Sequence, residues 1–235
     1  MPISTLPFLA VAVFGFLLFQ TRRLYLEGFL QSPQRNWINA LVAILLGWGV
    51  ISGYLAESGI YASPGFLSLA PGFWLPFVPV VMALAMVLLV PSLRQGLRVF
   101  VDRTPVHWLT GIHQLRVLAL GSIIKAAYGL FPAKFAWYVG IPDFLFGISA
   151  VLLTLFLVRH RGIPAWKLAP WHLAGAMVVL IPAIGLMHVY MREPLFTELF
   201  AFPMALAPTL VVPTFIMLNM LVVWRLLEQR TARSR

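Results

Sequence analysis

The chain contains no cysteine. Disulfides, thiolate nucleophiles, Cys-ligated zinc and iron–sulfur clusters are excluded at once. Charge is also thin. Only 10% of the 235 residues are charged, where a soluble domain carries roughly 25%. Acidic residues are the scarcest, seven Asp and Glu against seventeen Lys and Arg, for a formal net charge of +10. Familiar catalytic motifs are missing as well: there is no H-E-x-x-H, G-x-S-x-G, P-loop or dinucleotide fingerprint. A single acidic residue falls within an apolar run, which works against an aspartyl protease or general acid–base pair inside a membrane. No catalytic residue is assigned.

What is present is apolar length. Hydrophobic residues make up 61% of the chain, too many for a soluble surface to cover, whereas lipid accepts an apolar exterior. Apolar runs extend over about 5–20, 37–56, 73–93, 108–130, 138–158, 168–190 and 200–224. Each approaches the roughly 20 residues a helix needs to cross the hydrocarbon, and they lack the alternation of barrel strands. The expected fold class is all-α: an integral membrane helical bundle of seven transmembrane helices, with residues 1–235 as one transmembrane domain. The first run lacks both a basic stretch before it and an A-x-A-type cleavage site after it, so it is read as a retained span.

The basic residues fall in short clusters between these runs, a pattern of membrane loops rather than of a nucleic-acid binder. Arg22, Arg23, Arg35, Arg94, Arg98, Arg103, Arg159, Arg161, Lys167, Arg225, Arg230, Arg233 and Arg235 fall on one side. The opposite loops hold only Lys134 and Arg192. The positive-inside rule then predicts an outer N-terminus and a cytoplasmic C-terminus, in the inner membrane of a bacterium. Trp37, Trp108 and Trp171 are expected at headgroup level where outward-running helices begin. Trp74 and Trp137 are expected at outer ends, and Trp224 at the close of the last span.

Two cations remain inside a span. Arg116 lies 7–10 residues into the fourth run, about 10–15 Å deep at 1.5 Å per residue. Insertion there costs at least ~2.5–3.5 kcal/mol, so it is expected to face the interior, with proline-freed carbonyls, Gln114, Asn219 or an anionic ligand as partners; the alternative is snorkelling to the headgroups. Lys125 and Asp143 are each about five residues below the outer ends of runs four and five, which a short turn joins. They are expected to pair, as a coupling site or as a hairpin clamp.

Of the five histidines, His107 and His160 are placed at loop edges and His172 near the headgroups. His113 lies one turn before Arg116 on the same face. His188, between Met187 and Met191, is a weak soft-metal candidate, although a Met-rich helix end usually serves packing. His113 and His188 fall in opposite halves of the bilayer, which argues against a six-coordinate haem. No cofactor is predicted; haem, copper and retinal, the last on Lys125 with Asp143 as counter-ion, are each disfavoured. Pro208 and Pro213 each free a carbonyl one turn earlier, with Thr209, Thr214 and Asn219 at hand. Phe131–Ala136 and Phe200–Ala205 echo one another, a faint sign of repeated hairpins.

The order and spacing of Arg116-Val117, Gly129-Leu130-Phe131-Pro132-Ala133-Lys134-Phe135-Ala136, Gly140-Ile141-Pro142-Asp143 with Gly147 and Ala150, and Pro208-Thr209 with Pro213 resemble a broad group of small bacterial inner-membrane proteins of unknown function. The likeness runs from about Trp108 to Trp224. That group combines an Arg-bearing span, a G-x-x-P-x-x-F-A turn, a G-x-x-D span start and a proline-rich last span. Its last span often has His where this chain has Asn219, a departure that weakens any metal role carried from the group. The resemblance adds weight to Arg116 and Asp143 and implies no reaction.

The expected function is a carrier or ligand-binding protein for a small, anionic or lipidic substrate, its site between spans four to seven. Arg116, Lys125, Asp143, His113 and Asn219 are the candidate ligand-binding or coupling residues. Two alternatives stand beside it: a non-catalytic subunit of a larger membrane complex, with Gly121, Gly147, Gly175 and Gly185 as packing positions, and a membrane enzyme acting on a lipid or isoprenoid. Membrane lipids, and a membrane-protein partner or second copy, are the expected partners.

Overall fold

Helix boundaries follow from local chemistry. The first helix, α1 (Leu6–Leu26), ends where Gly28 adopts a positive φ of 78° and Phe29 N–H reaches back to the Leu24 carbonyl at 3.0 Å, a Schellman stop that glycine makes inexpensive. Helix α2 (Ser32–Glu57) begins with Pro33 in its first turn and a reciprocal Gln31–Gln34 capping box. Helix α3 (Val78–Leu89) is broken from α4 (Pro91–Arg103) by Val90, which the following proline holds extended.

The computed structural model describes the backbone of residues 4–160, 165–190 and 199–233, and side chains there except at 165, 183–190 and 232–233. No strand occurs among the described residues. Five described helices are long and apolar enough to cross a membrane: Leu6–Leu26, Ser32–Glu57, Pro71–Leu89, Ala133–Arg159 and Ala207–Thr231. They overlap the first, second, third, fifth and seventh apolar runs.

The fourth run is helical but not uniform. It consists of α5 (Val106–Gly111), eight residues of 3-10 helix (Ile112–Ala119) and α6 (Leu120–Ala127). The sixth run is α8 (Ala169–Tyr190), 22 residues containing Pro182. Between them stands α7 (Ile141–Arg159), and the last helix is α9 (Val212–Arg233).

Two readings of the loops change. The stretch carrying Arg94, Arg98 and Arg103 is the helix α4, whose Leu93, Leu97, Phe100 and Val101 are buried against Leu24, Ile38 and Val222. This i, i+4, i+7, i+8 stripe is that of a surface helix laid on a core. At the same basic end, Arg225 grips Asp102 through two bonds of 2.8 and 2.7 Å, while Glu228 joins Arg225 to Arg98. The seventh run also becomes helical later than expected, since residues 201–205 form turns before Ala207.

The opposite end has its own core of Tyr61, Leu75, Phe131 and Phe200. Tyr61 is fully buried and donates to Ser52 Oγ at 3.1 Å; Ser52 donates to Thr209 Oγ1 at 2.8 Å. Burial pushes the Tyr61 phenol above its ordinary value, so it stays a donor.

Helices α7 and α9 start alike. Each is preceded by a five-residue π turn, Ala136–Gly140 and Ala207–Val211, closed by an i+5 bond from Ile141 N–H to the Ala136 carbonyl and from Val212 N–H to the Ala207 carbonyl. The next residue is proline in both cases, Pro142 and Pro213. In this register Phe131-Pro132 matches Phe202-Pro203, so the echo seen in the sequence is shifted by two residues from Phe200. The carbonyl that Pro213 frees at Thr209 is taken by Trp48 Nε1–H at 2.9 Å.

Candidate functional site

The 3-10 winding of Ile112–Ala119 decides which side chains meet. With three residues per turn, side chains at i and i+3 eclipse, so His113 and Arg116 form one row. Both are buried, at 0% and 3% exposure. The slim 3-10 segment also lets α7 come close. A Cβ added to Gly147 would lie 2.5 Å from the Val117 nitrogen and 2.8 Å from the Arg116 carbonyl carbon, so only glycine allows this approach.

Arg116 is therefore held from three sides. Its Nε–H donates to Asp143 Oδ1 at 2.5 Å, and Nη1–H donates to the Gly175 carbonyl at 2.8 Å. Its guanidinium carbon lies 4.4 Å from the Phe146 ring centroid. The Phe146 ring is stacked in turn on Trp171 at 4.5 Å. Gly175 is glycine because a Cβ there would sit 2.2 Å from Phe146 Cζ. The arrangement supplies what a cation in hydrocarbon needs: a counter-charge, a carbonyl and an aromatic face.

This corrects the expected pairing. Asp143 bonds Arg116, not Lys125, and neither Gln114 nor Asn219 bonds the guanidinium. The Lys125 ammonium has no hydrogen-bond or ion-pair partner among the described residues, while its backbone carbonyl accepts from Leu130 N–H at 2.9 Å. It still belongs to the site, because Arg116, Ser122, Lys125 and Asp143 line one cavity of about 140 Å³ together with Thr5, Val139, Ala207 and Phe215. Two cations face one carboxylate there.

Behind Arg116 lies a second polar cluster. His172, expected near headgroups, is 1% exposed, and its Nδ1 is 2.8 Å from Asn219 Oδ1. Its ring is 5.7 Å from that of His113, which is also flanked by Phe146, Trp171 and Phe215. Trp171 is likewise inside the cluster, donating to Ser149 at 3.2 Å, rather than in an interfacial belt. Both nitrogens of His113, Nε2 of His172 and Nδ2 of Asn219 have no protein partner among the described residues. Sequence reasoning missed His172 because counting from the start of its run placed it at the rim. The available signal was Asn219, a lone amide in the seventh run that required a polar neighbour.

No group of three or more His, Asp or Glu able to hold a metal ion occurs among the described residues. The side chains of Met187 and His188, and all of Met191, lie outside the described residues. His160 is exposed and stacks on Phe156.

A family model described as a domain of unknown function (DUF8737) matches residues 71–227, about two-thirds of the chain. The chain belongs to the DUF8737 family. The matched segment contains His113, Arg116, Lys125, Asp143, His172 and Asn219, so the whole buried cluster lies within the DUF8737 domain. Helix α1 and α2, including Trp48 and Ser52, precede it. Neither the curated proteins nor the solved structures contain a match.

Proposed function

We propose that this DUF8737 protein is a seven-span protein of the cytoplasmic membrane, N-terminus out and C-terminus in, that binds a small anionic or lipidic ligand in a chamber between spans one, four, five and seven. The observation that carries the reading is the meeting of Arg116, Lys125, Ser122 and Asp143 around one cavity inside an apolar bundle. Asp143 neutralises one of the two cations. The other, together with the Ser122 hydroxyl, is a receptor for an anion, and low surrounding polarity strengthens that attraction. The His113–His172–Asn219 cluster adjoins the Arg116 end and offers the polar groups for a coupling role.

Support for seven spans comes from α5–α6 and α8. The composite segment Val106–Ala127 is about 37 Å long, given the rises of α- and 3-10 helix, and α8 has 22 residues. Both exceed the roughly 30 Å of hydrocarbon. The absence of native cysteine makes the topology directly measurable. Single cysteines introduced at Lys134 are expected to react with an impermeant maleimide in intact cells, while those at Arg94, Arg159 and Arg230 react only after permeabilisation. The reverse pattern would invert the orientation, and labelling of Arg94 and Arg159 from opposite sides would remove the seven-span count.

Ligand binding is tested by calorimetric titration of the purified chain in nanodiscs with inorganic phosphate and short carboxylates. Binding of at least one of these anions is expected, with affinity falling about tenfold or more in Lys125→Gln. Unchanged affinity in Lys125→Gln, or no anion bound by wild type, overturns the assignment of the chamber.

A further inference from the structure

The cationic chamber is not the only space at this level of the bundle. A second cavity, of about 280 Å³, is lined by Phe73, Phe77, Val80, Val179, Phe200 and Ile216 among others, with no ionisable, amide or hydroxyl side chain among the described residues of its wall. The two cavities have four wall residues in common: Phe135, Val139, Ala207 and Val212. All four lie in, or directly beside, the two π turns that open α7 and α9. The partition between a cationic chamber and a hydrocarbon-lined one is thus made by the π turns Ala136–Gly140 and Ala207–Val211 and the residues beside them. Such π turns frequently mark functional sites.

The chemistry of the two spaces differs sharply. Water is a poor occupant of the larger one, which offers it no hydrogen-bond partner among the lining side chains; an alkyl chain suits it. The smaller one presents Lys125 and Ser122 beside the Arg116–Asp143 pair. Their combined size falls within the roughly 300–1,000 Å³ of ligand sites. We infer that the ligand is a single-chain anionic amphiphile, its head against Lys125 and Ser122 beside the Arg116–Asp143 pair and its hydrocarbon chain passing between the π turns into the apolar cavity. This rests on the anion-binding reading above and adds the chain.

The test is a homologous series: inorganic phosphate, then methyl to hexyl phosphate, short enough to partition little into the bilayer, titrated into the full chain in zwitterionic nanodiscs. Affinity is expected to rise about fourfold per methylene once the chain enters the second cavity. Val80→Trp and Ile216→Trp fill that cavity from two different helices without touching the cationic chamber. Each is expected to flatten the series and leave inorganic phosphate binding unchanged. If phosphate binds but the wild-type series is flat, the chain site falls and the anion site stands. If the series climbs equally in both Trp variants, the chain is reading the bilayer and the inference is overturned. If neither phosphate nor any ester binds, the chain site falls, and if no short carboxylate binds either, the anion site falls with it. Mass spectrometry of the chain extracted without added phosphate separates the sources: a co-purifying anionic amphiphile identifies a membrane lipid, and its absence, with the esters binding, identifies a ligand taken from solution.

Discussion

Replacing Asp143 with alanine is expected to destabilise the folded chain by about 3–5 kcal/mol, the usual cost of stranding a buried ion. Arg116 is 3% exposed, and a guanidinium cannot shed its proton in a protein. Without Asp143 it keeps, among the described residues, the Gly175 carbonyl and the faces of Phe146 and Phe215. For a chain of this size that loss corresponds to a fall in melting temperature on the order of 10 °C, read by fluorescence-detected size exclusion of heated samples. Removing the cation instead is milder, because a carboxyl left alone can take up a proton. Removing both is milder still: buried ion pairs replaced by apolar groups of similar volume are often neutral or better. Arg116→Met/Asp143→Leu is therefore expected to melt near wild type. A double variant as unstable as Asp143→Ala would show that the pair is not what Asp143 provides.

The second large effect concerns Gly147. Its missing Cβ is what allows α7 to lie against the backbone of Val117, at 2.5 Å from the nitrogen if the atom were present. The obstacle is main chain in a helix and cannot swing aside. Gly147→Ala is expected to cost about 3 kcal/mol, the upper end for overpacking, and to shift Arg116 away from Asp143. Gly175→Ala meets the Phe146 ring at 2.2 Å, a side chain that can be trimmed, so Phe146→Leu should restore much of its loss but none of that from Gly147→Ala. Gly47→Ala, with open space around its Cβ, serves as the control and should gain up to ~1 kcal/mol from the helix itself. A Gly147→Ala chain that melts with wild type would contradict the close approach.

The fold was largely legible because hydrocarbon imposes a length. Five of the seven runs emerge as helices of membrane length, and their errors are at the ends, where hydropathy and helicity part company. Helix α1 continues past Gln20 to Leu26 because Arg23 sits on the helix, paired with Glu27 at 2.7 Å, and a basic residue does not end a helix. The α4 stripe was present in the sequence but hidden by its arginines. In the site, Arg116 and Asp143 stood out individually, since charge in an apolar run demands an account. Their pairing with one another did not, because position along the fourth run follows an α-helical rise only where the run is not 3-10. His172 was missed for a related reason: a position along a helix gives its height but not the slope of the neighbours that cover it. The role of Trp48, a donor 161 positions from the carbonyl it satisfies, has no local signature.

The 3-10 segment of the fourth run also stores pitch. Eight residues wound at about 2.0 Å of rise and 120° apiece, where an α-helix takes about 1.5 Å and 100°, leave that stretch some 4 Å longer and roughly 160° further wound. Re-coiling it to α geometry would retract the Lys125 end toward His113 and swing it almost to the far side of the axis. Arg116 and Lys125 line one chamber in this winding, and the segment couples the two ends of the site as a screw couples travel to rotation.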